Sequence, residues 1–354
     1  MLIENFKLEN WIAKYENITK YDLSQTCVQN LTLKELEKIC DCEVELKNIR
    51  LGYGELYGSS ALKQAISHLY KNIKPENITV THGGIGANEL ALKTIIEKGD
   101  KIVCITPCYQ QIYSIPRFYG TNVVLTDFEH FEENSKNAKL ICVTNPNNPL
   151  GTSLTDDKTD LIIKAARKND CYIFADEAYR GLSNTNSFAD IYEKSIVTGS
   201  MSKTYSLAGA RVGWIAAQKE FINQVNLNRE YNTISISVLD DAVSATALQN
   251  HEKIEKRNLN IIQKNKQIVD DFLKKIGYSW LIEPNAAAIG CVNYNSHLSS
   301  ADFCEKIIKN TGVLLIPASV FECENFFRIG FGMEETYLKE ALEKLVNYII
   351  NNIS

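Results

Sequence analysis

One short stretch, residues 199–214, combines hydroxyl groups, a lysine and an arginine directly after an apolar run. Ser200, Ser202 and Arg211 could bind a phosphate group, since hydroxyls and a guanidinium donate hydrogen bonds to its oxygens. Lys203, beside them, could form a Schiff base with an aldehyde. The stretch therefore predicts a site for a ligand that carries both groups. The alternative is a surface turn with a solvated lysine.

A carboxylate that requires a positively charged partner follows another apolar run. Asp176 comes directly after residues 172–175, which predict a buried strand. Burial of a carboxylate is costly unless a cation or hydrogen-bond donors compensate it. A protonated pyridine nitrogen would be such a cation. An aldehyde, a phosphate and a pyridine ring occur together in pyridoxal phosphate, and we expect this cofactor.

An arginine near the end of the chain requires a partner of negative charge. Arg328 lies among apolar residues at 326–331, and its planar guanidinium can donate two parallel hydrogen bonds to a carboxylate. The carboxylate could belong to a substrate or to an internal aspartate or glutamate. We expect the substrate to be the partner.

Two further turns contain residues that bring backbone or amide groups close to a ligand. Residues 81–88 contain three glycines before a predicted helix at 88–97. Such a turn can bind an anion through backbone N–H groups and the positive end of the helix. Residues 144–152 contain two Asn-Pro pairs and a glycine, which predict a rigid turn. Either turn alone could be purely structural.

The elements that position these groups are predicted as strands that alternate with helices. Short apolar runs predict the strands: 78–80, 101–105, 123–125, 140–143, 172–175 and 196–198. Helices are predicted at 88–97 and 156–168. This order is typical of a mostly parallel sheet covered on both faces. Ligands of such sheets bind at the carboxyl ends of the strands, and the polar groups described above follow those ends.

In order and spacing, these motifs resemble those of fold-type I aminotransferases, the class I/II aspartate aminotransferase superfamily. Ser200-x-x-Lys203, with Arg211 eight residues later, resembles the lysine signature of that family. Residues 145–151 resemble its Asn-Pro-Asn-Asn-Pro-Thr-Gly motif, with Leu150 in place of threonine. The resemblance covers nearly the whole chain. It implies an α/β fold: a large domain with a mostly parallel seven-stranded sheet covered by helices, and a smaller α+β domain built from both chain ends.

The resemblance implies roles for five residues around the cofactor ring. Lys203 would form the Schiff base and later act as the base that moves the substrate proton. Asp176 would keep the pyridine nitrogen protonated. Tyr179 and Asn148 would form hydrogen bonds with the phenolic oxygen, and the aromatic ring of Tyr109 would stack on the pyridine.

The resemblance also implies the groups that bind the phosphate. They come from the lysine stretch and from the glycine-rich turn: Gly84, Ile85, Ser200, Ser202 and Arg211. Tyr53 resembles the tyrosine that reaches the cofactor phosphate of the neighbouring subunit, and Tyr57 is the alternative. We therefore expect a homodimer.

Substrate recognition follows from the resemblance only in part. Arg328 and Asn148 resemble the residues that bind the substrate α-carboxylate. Ala318 replaces a common glycine, and residues 284–287 replace a common Gly-Gly pair. Both departures lie on the substrate side. We therefore expect an L-amino acid and a 2-oxo acid as substrates, without a preference for a particular side chain.

The expected activity is transamination between these two substrates. One alternative keeps the cofactor: a lyase, cyclase or oxidase that acts on an amino acid such as arginine. Trp11, residues 21–24 and residues 32–33 resemble a subgroup that contains capreomycidine synthase, an arginine-cyclising member. A second alternative is a cofactor-sensing regulator. It would need a DNA-binding module before the fold, and the sequence shows no basic region there.

Three segments are expected along the chain. An N-terminal arm, 1–45, would join the small domain, with helices at 8–15 and 32–39. A large cofactor-binding domain would occupy 46–245. Residues 246–354 would complete the small domain and begin with a long helix at 251–275.

The composition argues against nucleic-acid and membrane partners. The 354 residues have a net charge of -5 and a pI near 5.7, without a block of basic residues. The sequence shows neither a membrane-spanning segment nor a signal-peptide pattern, so we expect a cytoplasmic protein. Several cysteines lie in apolar runs, where we expect them to act as small hydrophobic residues: Cys104, Cys142, Cys171 and Cys291. Cys40 and Cys42 form the only close pair. Neither a second cysteine pair nor a suitably spaced histidine accompanies them, so no metal is expected.

Overall fold

The structure, a computed structural model, describes residues 3–352. Its strands form a seven-stranded sheet, a four-stranded sheet and a two-stranded pair. In chain order they are β1 (Tyr21–Asp22), β2 (Ile78–His82), β3 (Lys101–Ile105), β4 (Asn122–Thr126), β5 (Leu140–Thr144), β6 (Tyr172–Asp176), β7 (Ser195–Ser200), β8 (Val212–Ala217), β9 (Ser279–Trp280), β10 (Ile289–Asn293), β11 (Val313–Leu314), β12 (Ile316–Pro317) and β13 (Phe326–Gly330). The six predicted strand positions are confirmed.

The helices cover the sheets and join them. They are α1 (Lys7–Tyr15), α2 (Leu33–Cys40), α3 (Ser60–Ser67), α4 (Gly83–Ile95), α5 (Gln111–Phe118), α6 (Phe131–Asn134), α7 (Asp156–Asn169), α8 (Phe188–Ile191), α9 (Lys219–Arg229), α10 (Val238–Gln249), α11 (His251–Ile276), α12 (Ser300–Thr311) and α13 (Glu335–Asn352). Predicted helices at 8–15, 32–39, 156–168 and 251–275 are confirmed to within one residue at each end. Among residues 3–352, no helix combines the length and hydropathy of a membrane span.

The large sheet has the strand order β2-β8-β7-β6-β5-β3-β4. Strand β8 runs antiparallel to both of its neighbours, and the other neighbouring pairs are parallel. The predicted α/β fold with a mostly parallel seven-stranded sheet is therefore confirmed. Because β5, β6 and β7 run in the same direction, their carboxyl ends meet at one edge of the sheet.

The central strands are apolar on both faces because helices cover both. Val103 and Ile141 belong to the core on one face, whereas their neighbours Cys104 and Cys142 belong to the core on the other. All four are essentially inaccessible to solvent. As predicted, these cysteines act as small hydrophobic residues. Full burial of an aliphatic side chain contributes about 1.5–3 kcal/mol to stability, so these strands form a large part of the core that supports the site at the edge of the sheet.

The smaller unit combines both ends of the chain, as predicted. Its antiparallel sheet has the order β12-β13-β10-β9, and β1 pairs with β11, with Tyr21 opposite Val313. Helix α2 differs from this pattern, since Leu36 and Cys40 join the core of the large sheet. The domain boundaries at 46 and 246 stay predictions.

Helix α4 begins five residues earlier than predicted, at Gly83 instead of Asn88. The first N–H groups of a helix have no partner within the helix, so glycine costs little stability there. Gly83 also has a positive φ of 69°, and a Cβ at this position would lie 2.6 Å from Nη2 of Arg211. The glycine-rich turn is thus the helix N-terminus itself.

Candidate active site

The polar residues that follow the strands surround a cavity of about 480 Å³ at the carboxyl edge of the large sheet. This volume is within the range of small-molecule sites. The predicted site residues line it, with the exception of Tyr53: Gly84, Ile85, Tyr109, Asn148, Asp176, Tyr179, Ser200, Ser202, Lys203, Arg211 and Arg328. The structure therefore brings together residues that lie far apart in the sequence.

One part of the cavity is suited to an anion. Ser200 Oγ accepts a hydrogen bond from the Ser202 backbone N–H at 3.1 Å and donates to Ser202 Oγ at 3.0 Å. Arg211 forms no ion pair with any described residue. A Cβ on Gly213 would collide with the backbone of Gly83, so only glycine allows β8 to approach the start of α4 this closely. The amides, hydroxyls and guanidinium could together bind a phosphate.

Asp176 is a buried carboxylate that neutral groups hold in place. Its Oδ1 accepts a hydrogen bond from the Ala178 backbone N–H at 3.1 Å, and its Oδ2 accepts one from Asn88 Nδ2 at 2.9 Å. Burial raises the pKa of Asp176, and the two hydrogen bonds and the charge of Lys203 counteract this shift in part. Within residues 3–352 it forms no ion pair. A cationic ligand group in the cavity would compensate the buried charge.

Asn88 is a site residue that the sequence did not reveal. Its side chain is 2% exposed and lines the same cavity. Its Oδ1 accepts a hydrogen bond from Thr198 Oγ1 at 2.6 Å, which orients Nδ2 toward Asp176. The two residues are 88 positions apart. An asparagine on a helix carries no sequence signal for such a contact.

Lys203 and Tyr179 lie together in the cavity wall. Tyr179 is 3% exposed, and no group in the described chain lies at hydrogen-bonding distance and angle from its Oη. Burial raises the pKa of Tyr179, while the charge of Lys203 lowers it in part. Burial lowers the pKa of Lys203, but Cys27 and Tyr179 raise it, with a net upward shift. A buried hydroxyl without a partner costs about 1–3 kcal/mol, so a ligand group facing Tyr179 would stabilise the site.

Cys27 is a second neighbour that the sequence did not reveal. Its Sγ lies 3.5 Å from Lys203 Nζ. A lone cysteine in a loop gives no signal of such a contact, because the two residues are 176 positions apart.

Arg328 is a buried cation without a carboxylate partner in the described chain. It is 1% exposed, and burial lowers the pKa of its guanidinium. Nη1 donates to Asn148 Oδ1 at 2.8 Å and Nη2 donates to the Ser24 carbonyl at 2.9 Å. Its Nε has no hydrogen-bond partner among residues 3–352. The internal carboxylate considered as an alternative is thus not found among these residues, and the guanidinium can still bind an anion from the cavity.

Tyr109 contributes an aromatic ring to the cavity wall. Its ring packs against Phe6 with centroids 5.2 Å apart, and its Oη donates to Glu9 Oε1 at 3.3 Å. Tyr53 is different: it is 84% exposed and does not line this cavity. Its predicted contact with the phosphate of another subunit stays a prediction. The alternative, Tyr57, donates its hydroxyl to Glu230.

The close cysteine pair forms no cluster with other metal-ligating residues in the described part of the chain. Cys40 is buried and Cys42 is exposed. Within the described chain, the residues whose ligand atoms lie close enough to share a metal ion are on the surface, away from the cysteine pair: Asp127, Glu129 and His130. That the protein needs no metal stays a prediction.

Residues 15–345 match the family described as aminotransferase class I and II. The chain belongs to this family. It is also similar to a PLP-dependent aminotransferase from Streptococcus suis 89-1591, with 33% identity, a TM-score of 0.95 and 100% coverage of both chains. The (5-formylfuran-3-yl)methyl phosphate transaminase of Methanocaldococcus jannaschii is 29% identical over 86% of this chain and 85% of its own. Capreomycidine synthase of Streptomyces vinaceus is 23% identical over 95% and 91%, respectively.

The family match confirms the predicted aminotransferase, and with it the assignment as a transferase. Members of this family depend on pyridoxal phosphate and use amino acids and 2-oxo acids as substrates. The alternative of a lyase, cyclase or oxidase is not favoured, because the family and most of the relatives described above are aminotransferases.

Replacing Asn88 with leucine is expected to lower the turnover of this aminotransferase by about ten- to a hundredfold. Asp176 would lose a hydrogen bond to its ionised form, so its pKa would rise further. The acid side of the pH–rate profile should therefore move to higher pH. Thr198→Val is the control, since it removes the hydrogen bond to Asn88 but leaves the one to Asp176. An unchanged pH profile in Asn88→Leu would mean that Asn88 only fills space.

Proposed function

We propose that the protein is a pyridoxal-phosphate-dependent aminotransferase that transfers the amino group of an L-amino acid to a 2-oxo acid. One observation carries this proposal. Asp176 and Arg328 are both buried, form no ion pair with the described residues, and line the same cavity as Lys203. Buried charges are costly without partners. A protonated pyridine nitrogen would compensate the first, and a substrate carboxylate would compensate the second.

The remaining cavity residues fit the other groups of this cofactor. The unpartnered hydroxyl of Tyr179 and the Nδ2 of Asn148 are available to the phenolic oxygen, and the ring of Tyr109 can lie against the pyridine. The phosphate would be held by Gly84, Ile85, Ser200, Ser202 and Arg211. When bound, the cofactor supplies an aldehyde that reacts with amines and a ring that withdraws electrons from the substrate Cα.

Lys203 would perform two tasks in turn. Its amine would hold the cofactor through the aldehyde group, and as a free amine it would be available as a base. Its Nζ can then remove the proton from the substrate Cα and hold it for return. Arg328 and Asn148 would bind the α-carboxylate meanwhile and fix which bond at Cα faces Lys203. The base and the proton that it removes would thus be held close together, so the proton transfer needs no bimolecular encounter.

A homodimer is part of this proposal. The loop at 51–56, and the end of α9 with the loop that follows it, expose large apolar side chains: Leu51, Tyr53, Leu56, Leu227, Tyr231 and Ile234. These two segments are neighbours, since Tyr57 donates a hydrogen bond to Glu230 at 2.7 Å. An exposed apolar surface of this kind is typical of a protein–protein interface. A second copy of the chain would cover it and would bring Tyr53 toward the neighbouring phosphate. The cytoplasmic location stays a prediction.

The half-reaction without an oxo acid tests the proposed function. The purified protein loaded with cofactor is mixed with single L-amino acids, and its absorption spectrum is followed. We expect the aldehyde form of the cofactor to convert to the amine form with release of one equivalent of 2-oxo acid, because the amino group stays on the enzyme. Consumption of substrate while the cofactor returns to its starting form would instead support the lyase, cyclase or oxidase.

A further inference from the structure

Helix α1 contributes a carboxylate to the cavity that the proposed mechanism does not use. Leu8, Glu9 and Ile12 line the wall from this helix. Within residues 3–352 Glu9 forms no ion pair, whereas Glu4 on the same segment pairs with Arg117. Tyr109 donates its hydroxyl to Glu9 Oε1 at 3.3 Å, which orients the carboxylate. The protein thus keeps a solvent-exposed negative charge at the side of its cavity, which forms no ion pair among the described residues but opposes part of the fall in the pKa of Arg328.

The other charged residues of the cavity already have partners in the proposed function. Lys203, Asp176 and Arg211 would bind the cofactor, and Arg328 would bind the substrate α-carboxylate. Glu9 is the charge that remains. A substrate held at its carboxylate and its amine can direct only its side chain toward the rest of the wall. Leu8 and Ile12 provide apolar contact there for methylene groups, and Glu9 provides an acceptor for a terminal cation.

Helix α1 is held at its first turn and at its middle, on either side of Glu9, so the fold sets the position of this residue. At the first turn, the Lys7 backbone N–H donates to Gln110 Oε1 at 2.8 Å. Further along, Trp11 Nε1 donates to the Leu315 carbonyl at 2.9 Å. The first contact joins α1 to the part of the chain that surrounds the large sheet, and the second joins it to the smaller unit. A site on a fixed helix is more selective than one on a mobile loop.

We propose that Glu9 selects amino-donor substrates whose side chain ends in a cation, the class that includes arginine, ornithine and lysine. This inference rests on the proposed function, because that function assigns the other charges of the cavity. A charge-assisted hydrogen bond to Glu9 favours such a side chain over an uncharged one of the same shape. A neutral side chain forms no such bond, and the exposed carboxylate then stays hydrated.

Binding of substrate-like carboxylates tests the selection without catalysis. The matched ligands are 5-guanidinopentanoate and its uncharged counterpart 5-ureidopentanoate, titrated into the cofactor-loaded protein by calorimetry. We expect the guanidino compound to bind about two- to fivefold more tightly, the range of an ion pair with a solvent-exposed carboxylate. Glu9→Gln keeps an acceptor for Tyr109 and should remove most of this preference. Glu16→Gln removes the same charge from the end of the same helix, outside the cavity, and should retain it.

The half-reaction with L-arginine and L-citrulline separates this inference from the proposed function. A preference for the guanidino ligand that disappears in Glu9→Gln, without amino transfer to the cofactor, would support the selection and overturn the aminotransferase. Amino transfer with equal rates for both amino acids, and equal binding of both ligands, would support the aminotransferase and overturn the selection. A preference that survives in both Glu9→Gln and Glu9→Ala would also overturn it.

Discussion

Replacing Lys203 with alanine is expected to abolish amino transfer, with a fall in the half-reaction rate of about 10⁴-fold, the upper range for a positioned general base. Two functions are lost together: the covalent anchor of the cofactor and the group that removes the Cα proton. No other lysine and no histidine lines the cavity within the described chain, so no neighbour can take over. The measurement is the stopped-flow change in cofactor absorption after an amino acid is added.

The variant should still bind the cofactor, because the residues proposed for the phosphate and the ring remain. Added methylamine should restore part of the rate, since a small amine can enter the space that the side chain vacates. Lys194→Ala is a control: this lysine pairs with Asp170 on the surface and should not affect the rate. A half-reaction in Lys203→Ala at the rate of the unmodified protein would assign proton removal to another group.

Much of the fold and of the candidate site could be predicted from the sequence because the signals are local. Continuous apolar runs predicted the strands, and residues after the strand ends were expected at one edge of the sheet. Asp176 and Ser200 follow this rule and are the last residues of β6 and β7. The capping of α2 is also local: Thr32 accepts a hydrogen bond from the Glu35 backbone, and the Glu35 side chain accepts one in return.

The contacts that the sequence did not reveal are those between distant segments. Asn88 reaches Asp176, Cys27 reaches Lys203, and Glu9 reaches Tyr109 across 100 positions. Each of these residues is of a type that is ordinary for its own helix or loop. The early start of α4 was missed for a related reason. Glycine disfavours helix, but here close packing against Arg211 requires it.

Replacing Asp176 with asparagine is expected to lower turnover about 10³-fold while the fold is retained. Loss of one oriented electrostatic group in an active site typically costs 10²–10³ in rate. With asparagine, the proposed ring nitrogen has no anion beside it and loses its proton at neutral pH. The midpoint of thermal unfolding should change little. Removal of a buried charge offsets the loss of one hydrogen bond, from Asn88 or from Ala178.

Glu177→Gln is the matched control, since it alters the adjacent carboxylate. Glu177 is 4% exposed, lies 3.1 Å from Arg180 Nε and does not line the cavity. Burial raises the pKa of Glu177 to about 7, partly offset by Arg180. At pH 8, where the carboxylate is ionised, its replacement leaves Arg180 without a counter-charge and should destabilise the fold, although removal of a buried negative charge offsets part of this loss. Turnover should be unchanged. Asp176→Asn should therefore lose activity but not stability, and Glu177→Gln should lose stability but not activity.

The pH dependence distinguishes a role of Asp176 in charge from a role in shape. Burial raises the pKa of Asp176, whereas a cation on the ring nitrogen would lower it, so this carboxylate takes up a proton on acidification. The protonated acid cannot stabilise a cation on the ring nitrogen. The rate of the unmodified protein should therefore fall on acidification, and this acid limb should be absent from Asp176→Asn, which has no group to titrate there. An acid limb that persists in the variant would assign the titration to another residue, because the proposed electrostatic role requires that the limb and the charge disappear together.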